Sequence, residues 1–324
     1  MKAVVCRTLG RLESLLVEDM PEPSPGVDEL VVEVRAAGVN FPDLMMVQGV
    51  YQDAPALPFV PGVEVAGVVV RAGLQVRGFR PGDRVLAGVT QGGFAERVLV
   101  SAGRALHLPA GIDDIAAAGM LITYGTAVHA LRQRASLQPG ETLLVLGAAG
   151  GVGIAAVQVG KALDARVIAA ASNDEKLEFA RDHGADALVN YGHVELRNQV
   201  KALTGGKGAD VIYDPVGGDL FDEAARCINW NGRLLVVGFA SGRVPRFPAN
   251  LALVKGFSVV GVYWGRVMVE QPELFADNLR QLFEWYRSGR VKPYIDEVIP
   301  LADAPRALKR IADREVKGKL ILTP

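Results

Sequence analysis

Cysteine and histidine are scarce in this 324-residue chain, with two of the first, Cys6 and Cys227, and four of the second, His107, His129, His183 and His193. Two cysteines exclude a disulfide framework and a Cys-rich metal site. The histidines are scattered and read as surface or satisfied core residues. A charge excess of either sign is also missing. Lys plus Arg number 35 and Asp plus Glu 36, so there is no electrostatic footprint for nucleic acid or a membrane surface. No apolar run reaches bilayer length, and even the stretch from Ile112 to Leu131 is broken by Asp, Gly, Thr and His. The first residues, MKAVVCRTLG, lack the apolar core of a signal peptide. The expectation is a cytoplasmic protein with no nucleic-acid and no membrane partner. No Ser/His/Asp constellation is evident, so nucleophilic catalysis has no support.

What is present is apolar. Half of the residues are hydrophobic, and a chain of this length suggests about two domains. Residues 1–122 read as β-rich. Short segments such as Leu30–Ala36, Glu64–Arg71 and Arg84–Ala87 alternate with Gly/Pro turns, a pattern that suits a partial barrel. From Thr123 the pattern changes to strands alternating with helices. Candidate strands are Thr142–Gly147, Arg166–Ala171, Ala187–Asn190, Asp210–Asp214, Leu234–Gly238 and Phe257–Val262. Six strands with crossovers predict an α/β fold with a doubly wound parallel sheet. The tail, 263–324, carries two helical patterns and a final strand over Lys319–Leu322.

The densest signal is GETLLVLGAAGGVGIAAVQVGK, residues 140–161. An apolar strand runs into a glycine-rich corner and then into a helix of small and apolar residues. Such a corner aims free backbone N–H groups and the positive helix end at one spot, which suits a pyrophosphate. The candidate cradle is Ala149, Gly150, Gly151, Val152 and Gly153. The glycines let the backbone turn, approach the phosphates and pack helix on strand. A strict dinucleotide fingerprint would have glycine where Ala148 stands.

The run resembles the signature of the quinone oxidoreductase (zeta-crystallin-like) family of the medium-chain dehydrogenase/reductase superfamily. The matching positions are Gly140-Glu141, Leu144, Ala148-Ala149-Gly150-Gly151, Gly153, Gln158 and Lys161. Further similar stretches are Asn40-Phe41-Pro42-Asp43, Gly49-Val50-Tyr51, Leu57 to Gly67, Gly125-Thr126-Ala127, Asp214 to Gly218, Gly238 to Gly242, Ser258 to Gly261 and Trp264-Gly265. The resemblance implies a Rossmann nucleotide-binding domain over 123–262. It also implies a GroES-like catalytic domain built from 1–122 and 263–324, with the tail folded back onto the first part. It implies that Thr126, Gly238, Phe239 and Ser241 bind the cofactor, and it places Ser172, Lys176, Tyr191 and Arg314 around a 2′-phosphate.

The residues themselves point to NADPH. The second strand ends Ala170-Ala171-Ser172, without the carboxylate that holds a ribose 2′-OH, and Lys176 follows. Ser172-Asn173-Asp174-Glu175 is equally a good helix start, with Glu175 completing a capping box on Ser172. Both uses fit one helix N-terminus. Zinc dehydrogenases of the superfamily hold catalytic zinc through a cysteine and a Gly-His-Glu histidine. Here those positions are Asn40 and Val63, and the four-Cys lobe is absent, so no metal is expected. Without a Lewis acid, hydride delivery to an already electrophilic acceptor is favoured over alcohol oxidation.

The acceptor is expected in a cleft between the domains, walled by Asn40, Asp43 and Tyr51 on one side. The resulting oxyanion needs a donor. Tyr51 could supply it or could be only an aromatic wall. Asn40 could orient the nicotinamide ribose or a substrate carbonyl, and Asp43 could be purely structural. The expected function is an NADPH-dependent, zinc-independent reductase of quinones or α,β-unsaturated carbonyls. The alternatives are an enoyl-thioester (acyl-CoA) reductase, if Arg77, Arg80 and Arg266 converge on CoA phosphates, and a non-catalytic NADPH-binding crystallin-like protein. The apolar run at 257–262 ends the sheet and predicts a homodimer.

Overall fold

The structure is a computed structural model that describes residues 1–52 and 55–324. The chain forms β1 (Lys2–Val5), β2 (Leu16–Asp19), β3 (Glu29–Val39), α1 (Phe41–Gln48), β4 (Glu64–Ala72), β5 (Arg84–Gly88), β6 (Arg97–Ser101), β7 (Ala105–His107) and α2 (Asp114–Ala117). It continues with α3 (Thr123–Val128), β8 (Thr142–Leu146), α4 (Gly151–Ala162), β9 (Arg166–Ala171), α5 (Asp174–Asp182), β10 (Ala187–Asn190) and α6 (Leu196–Leu203). Next come β11 (Ala209–Asp214), α7 (Gly218–Ala224), β12 (Ile228–Val236), α8 (Asn250–Lys255) and β13 (Ser258–Gly261). The tail holds α9 (Trp264–Glu270), α10 (Pro272–Arg287), β14 (Ile295–Pro300), α11 (Ala304–Ala312) and β15 (Lys319–Thr323).

Two compact units emerge. The first takes Met1–Ile122, Gly265–Phe283 and Pro293–Pro324, and the second Thr123–Trp264 and Glu284–Lys292. The first unit is β-rich. Its main sheet runs β14-β15-β3-β4-β5-β7, with β6 also on β3. β3 is its spine, antiparallel to β4, β6 and β15. Val32, Val34, Val65, Val85, Phe94, Leu320 and Leu322 fill the core. The tail therefore completes the first unit's sheet through β15. One segment departs from the expected partition, because 284–292 clusters with the second unit. Arg290, which donates to Ala162 O, helps tie that segment to α4, and so does the buried Gln158. Its amide donates to Lys292 O at 3.0 Å and accepts from Lys292 N at 2.7 Å, holding that backbone at both polar atoms.

The second unit is a doubly wound parallel sheet of order β10-β9-β8-β11-β12-β13. β8 and β9 are buried almost throughout, as strands covered on both faces must be. α4 lies against one face so closely that a Cβ on Gly160 would stand 2.6 Å from Leu143 Cδ2. Leu144, Ile168, Ile212 and Leu234 face the other layer. The order reverses between β8 and β11. Ligands of open α/β sheets bind at the carboxyl ends of strands at such a reversal. The mixed α/β class expected from sequence is the one adopted. β12 is longer than expected, starting at Ile228. Asn231, at φ 56, and Gly232 interrupt its register, so its first half does not read as strand.

Candidate active site

At the switch point three loops of the second unit meet. After β8, Gly147 turns with φ 59, and its missing Cβ would lie 3.0 Å from Val216 Cγ2, so this corner touches the loop after β11. Gly153 is demanded by packing, since a Cβ there would lie 2.2 Å from Gly147 O. Gly150 is the N-cap of α4 and brings no side chain to cap it. The helix therefore presents its first-turn N–H groups and positive end with no capping side chain in front.

The loop after β11 is shaped by Asp214. Its buried carboxylate accepts Val216 N and Gly217 N, both at 2.8 Å. Burial pushes its pKa up to about 6 against those two hydrogen bonds. Gly217 and Gly218 follow at φ 65 and 61. Onto them folds the stretch after β12, where Ala240 N donates to Pro215 O at 3.1 Å and Ser241 N to Val216 O at 2.9 Å. Gly238, Phe239 and Ser241 thus stand beside the β8 corner. Thr126 is buried in α3, where neighbouring Gly125 leaves room for the Trp264 ring.

The tip of β9 corrects one expectation. The cap of α5 is Asn173, whose side chain accepts Lys176 N at 2.9 Å, not Ser172. The third helical position after that cap is Lys176, so Glu175 completes no capping box there. Ser172 is exposed and free of capping duty at the strand tip. Tyr191 stands on the adjacent strand end, donating its N–H to Ala171 O at 3.1 Å. Asp174, a carboxylate that would oppose a phosphate, accepts Asn190 Nδ2 at 2.6 Å. Ser172, Lys176 and Tyr191 therefore share one end of β9 and β10. Arg314 belongs to the first unit, exposed just past α11 in the left-handed region at φ 59.

In the first unit, Asn40, Asp43, Glu64 and Lys319 are all buried. Asp43 is the reciprocal cap of α1. One carboxylate oxygen accepts Asn40 N at 2.8 Å, and the other accepts Gly62 N at 3.1 Å. Burial pushes its pKa up to about 7, against those N–H groups and the nearby Lys319 ammonium. Asn40 is saturated. Its Nδ2 donates to Gly38 O at 3.1 Å and Glu64 Oε2 at 2.9 Å, and its Oδ1 accepts Lys319 Nζ at 2.7 Å. Both amide hydrogens are spent inside the protein, so no Asn40 donor is left for a substrate carbonyl. Tyr51 lies beyond the end of α1, half-buried against the unit's core.

The sequence by itself points to neither Lys319 nor Glu64 as part of a buried polar network. Glu64 follows Val63 in the stretch from Leu57 to Gly67, but nothing local to Lys319 announces a buried ammonium. Arg77, Arg80 and Arg266 are engaged locally. They bind the carbonyls of Leu74 and Val76, Asp83, and Glu270, respectively. Among the described residues, no group of three or more His, Cys, Asp and Glu side chains could hold a metal ion.

Two family models match the chain, the alcohol dehydrogenase GroES-like domain over residues 26–110 and the zinc-binding dehydrogenase over 151–284. The chain is 39% identical over 324 residues to a quinone oxidoreductase-like protein 2 homolog from Nematostella vectensis, covering 99% of this chain and 88% of that one. A quinone oxidoreductase from Pseudomonas aeruginosa is 35% identical, with 100% and 99% covered. Among solved structures, Escherichia coli quinone oxidoreductase complexed with NADPH superposes with a TM-score of 0.94 at 30% identity, covering 100% of both chains. With such likeness along its whole length, this chain is an oxidoreductase of the medium-chain dehydrogenase/reductase superfamily and belongs to its quinone oxidoreductase family.

Proposed function

We propose that this protein is an NADPH-dependent, zinc-independent reductase that delivers hydride to quinones or α,β-unsaturated carbonyls. The observation that carries the reading is the N-terminus of α4 at the switch point, where Gly150 leaves the helix without a side-chain cap. The nicotinamide cofactor supplies the hydride when bound. The chain's residues do the rest. The 149–153 corner holds the pyrophosphate. Thr126 and the loop of Gly238, Phe239 and Ser241 line the cofactor. Ser172, Lys176 and Tyr191 take the 2′-phosphate, and Ser172 in place of a carboxylate just past β9 favours NADPH over NADH.

Zinc independence is supported by chemistry at the positions that zinc relatives use. Valine stands at 63, and the oxygens of Asn40 and Glu64 already receive an ammonium. Tyr51 is assigned the donor role toward the developing oxyanion. The scattered local partners of Arg77, Arg80 and Arg266 favour this reading over the acyl-CoA alternative. We also propose a homodimer through β13, an edge strand whose Val259 is 38% exposed. Light scattering that returned a monomer mass at micromolar concentration would contradict it.

The test of function is NADPH consumption with 1,4-naphthoquinone, an enone and crotonyl-CoA side by side. Turnover of the first two is expected. Turnover of the thioester alone would overturn the acceptor assignment, and no turnover of any would leave only cofactor binding.

A further inference from the structure

A buried ammonium is costly, and Lys319 has one at 3% side-chain exposure. It sits at the start of β15, whose next residue, Leu320, pairs with Val39 at the end of β3. Its Nζ donates to Val39 O at 3.1 Å, Asn40 Oδ1 at 2.7 Å and Glu64 Oε2 at 3.0 Å. Glu64 is fully buried too, and its other oxygen accepts Ile122 N at 3.0 Å. Gly38 has no room for a side chain, because a Cβ would lie 2.4 Å from Glu64 Oε2. An apolar pair of similar volume would join the strands at least as well, since desolvation offsets most of what a buried ion pair returns. What an apolar pair could not do is orient an amide. An ammonium has only hydrogens to offer and a carboxylate only lone pairs, so together they dictate which end of Asn40 is oxygen.

We propose that Lys319 and Glu64 form a positioning pair that locks the Asn40 carboxamide and the start of α1, and through that helix places Tyr51. The inference rests on the assignment of Tyr51 to the acceptor end. α1 is short and clamped at its start by this pair and by Asp43 on Gly62. At its other end Gly49, at φ 71, turns the chain, and Val50 N returns to Met45 O at 3.0 Å. Tyr51 is the next residue, so a shift at Asn40 is carried along one turn-capped helix to the phenol.

The test is a double-mutant cycle with Lys319→Met, Glu64→Gln and their combination. Each single change leaves one charge or its partner unmatched in the core and should lower the thermal midpoint. The double variant removes both charges and should regain it. In that refolded background, NADPH affinity should stay within about twofold of wild type while kcat on the enone falls about tenfold or more. Amide exchange over residues 41–51 should quicken. Lys319→Arg, which keeps the charge but displaces it, should fold and share the kcat loss. A double variant with wild-type kcat and wild-type exchange would make the pair a structural staple and overturn the proposal. Loss of NADPH affinity in parallel with kcat would overturn it as well. If the wild type reduces no acceptor, the functional reading falls, and the exchange comparison still decides whether the pair holds α1.

Discussion

Two glycines of one corner are expected to fail in opposite ways. A Cβ built on Gly153 would lie 2.2 Å from Gly147 O and 2.9 Å from Ala148 Cα. Both neighbours are backbone, so neither can rotate away, and α4 must lift from the β8 corner. Overpacking of that kind costs about 1–3 kcal/mol. At about 2–4 °C per kcal/mol for a chain of this size, Gly153→Ala should melt roughly 2–12 °C below wild type. Gly150 is different. A Cβ there meets only Gly147 O, at an ordinary 3.5 Å. Its φ of −71 suits any residue. Losing glycine at an N-cap costs less than about 1 kcal/mol.

The protein alone therefore has little need of glycine at 150, while a pyrophosphate brought against the helix N-terminus has much. Gly150→Ala should keep nearly its full melting temperature and lose at least about tenfold in NADPH affinity, some 1.4 kcal/mol. Thermal melts without cofactor and a titration of nicotinamide fluorescence measure the two quantities on the same samples. Wild-type NADPH binding by Gly150→Ala would refute the placement of the pyrophosphate. A melt of Gly153→Ala equal to wild type would refute the packing argument.

Three further outcomes are expected. Lys176→Ala should weaken NADPH by about 1.5–3 kcal/mol, the worth of a hydrogen bond to a charged group, and leave NADH almost unchanged; equal losses for both cofactors would remove Lys176 from the 2′-phosphate. Tyr51→Phe should lower turnover on an enone by about 3–4 kcal/mol of transition-state stabilisation, with quinones suffering less and NADPH affinity unmoved; wild-type enone turnover would leave Tyr51 as a wall. Asp43 carries a folded pKa of about 7, raised from 3.8, so between those values the folded chain keeps a proton that the unfolded chain gives up. Its contribution to stability should therefore fall as pH rises from about 4 to about 7 and level off above. The melting temperature of wild type relative to Asp43→Asn, followed from pH 4 to 8, should show that decline, and a flat difference would refute it.

The glycine corner between β8 and α4 is legible because everything that makes it is consecutive. A strand, a glycine turn and a small-residue helix over 142–162 need no distant partner to declare themselves, and β9, α5 and β10 fall within the expected residues for the same reason. The absence of a carboxylate after Ala171 was equally local, although the cap itself moved to Asn173, a choice between two adjacent cap formers that backbone geometry makes. Tertiary structure alone decided the buried polar network of the first unit. Lys319 reaches Asn40 and Glu64 across 279 and 255 residues. A lone lysine at the start of a final strand looks like a solvated charge until β15 pairs with β3 and buries it. The same pairing spends the Asn40 amide, which the sequence offers as a free donor. The segment 284–292 is likewise tied to the second unit by remote contacts, among them a glutamine that binds a backbone 134 residues away. Local chemistry wrote the glycine corner into the sequence; the buried charge network exists only because strand pairing brings remote polar groups into one low-dielectric space, where each must find a partner.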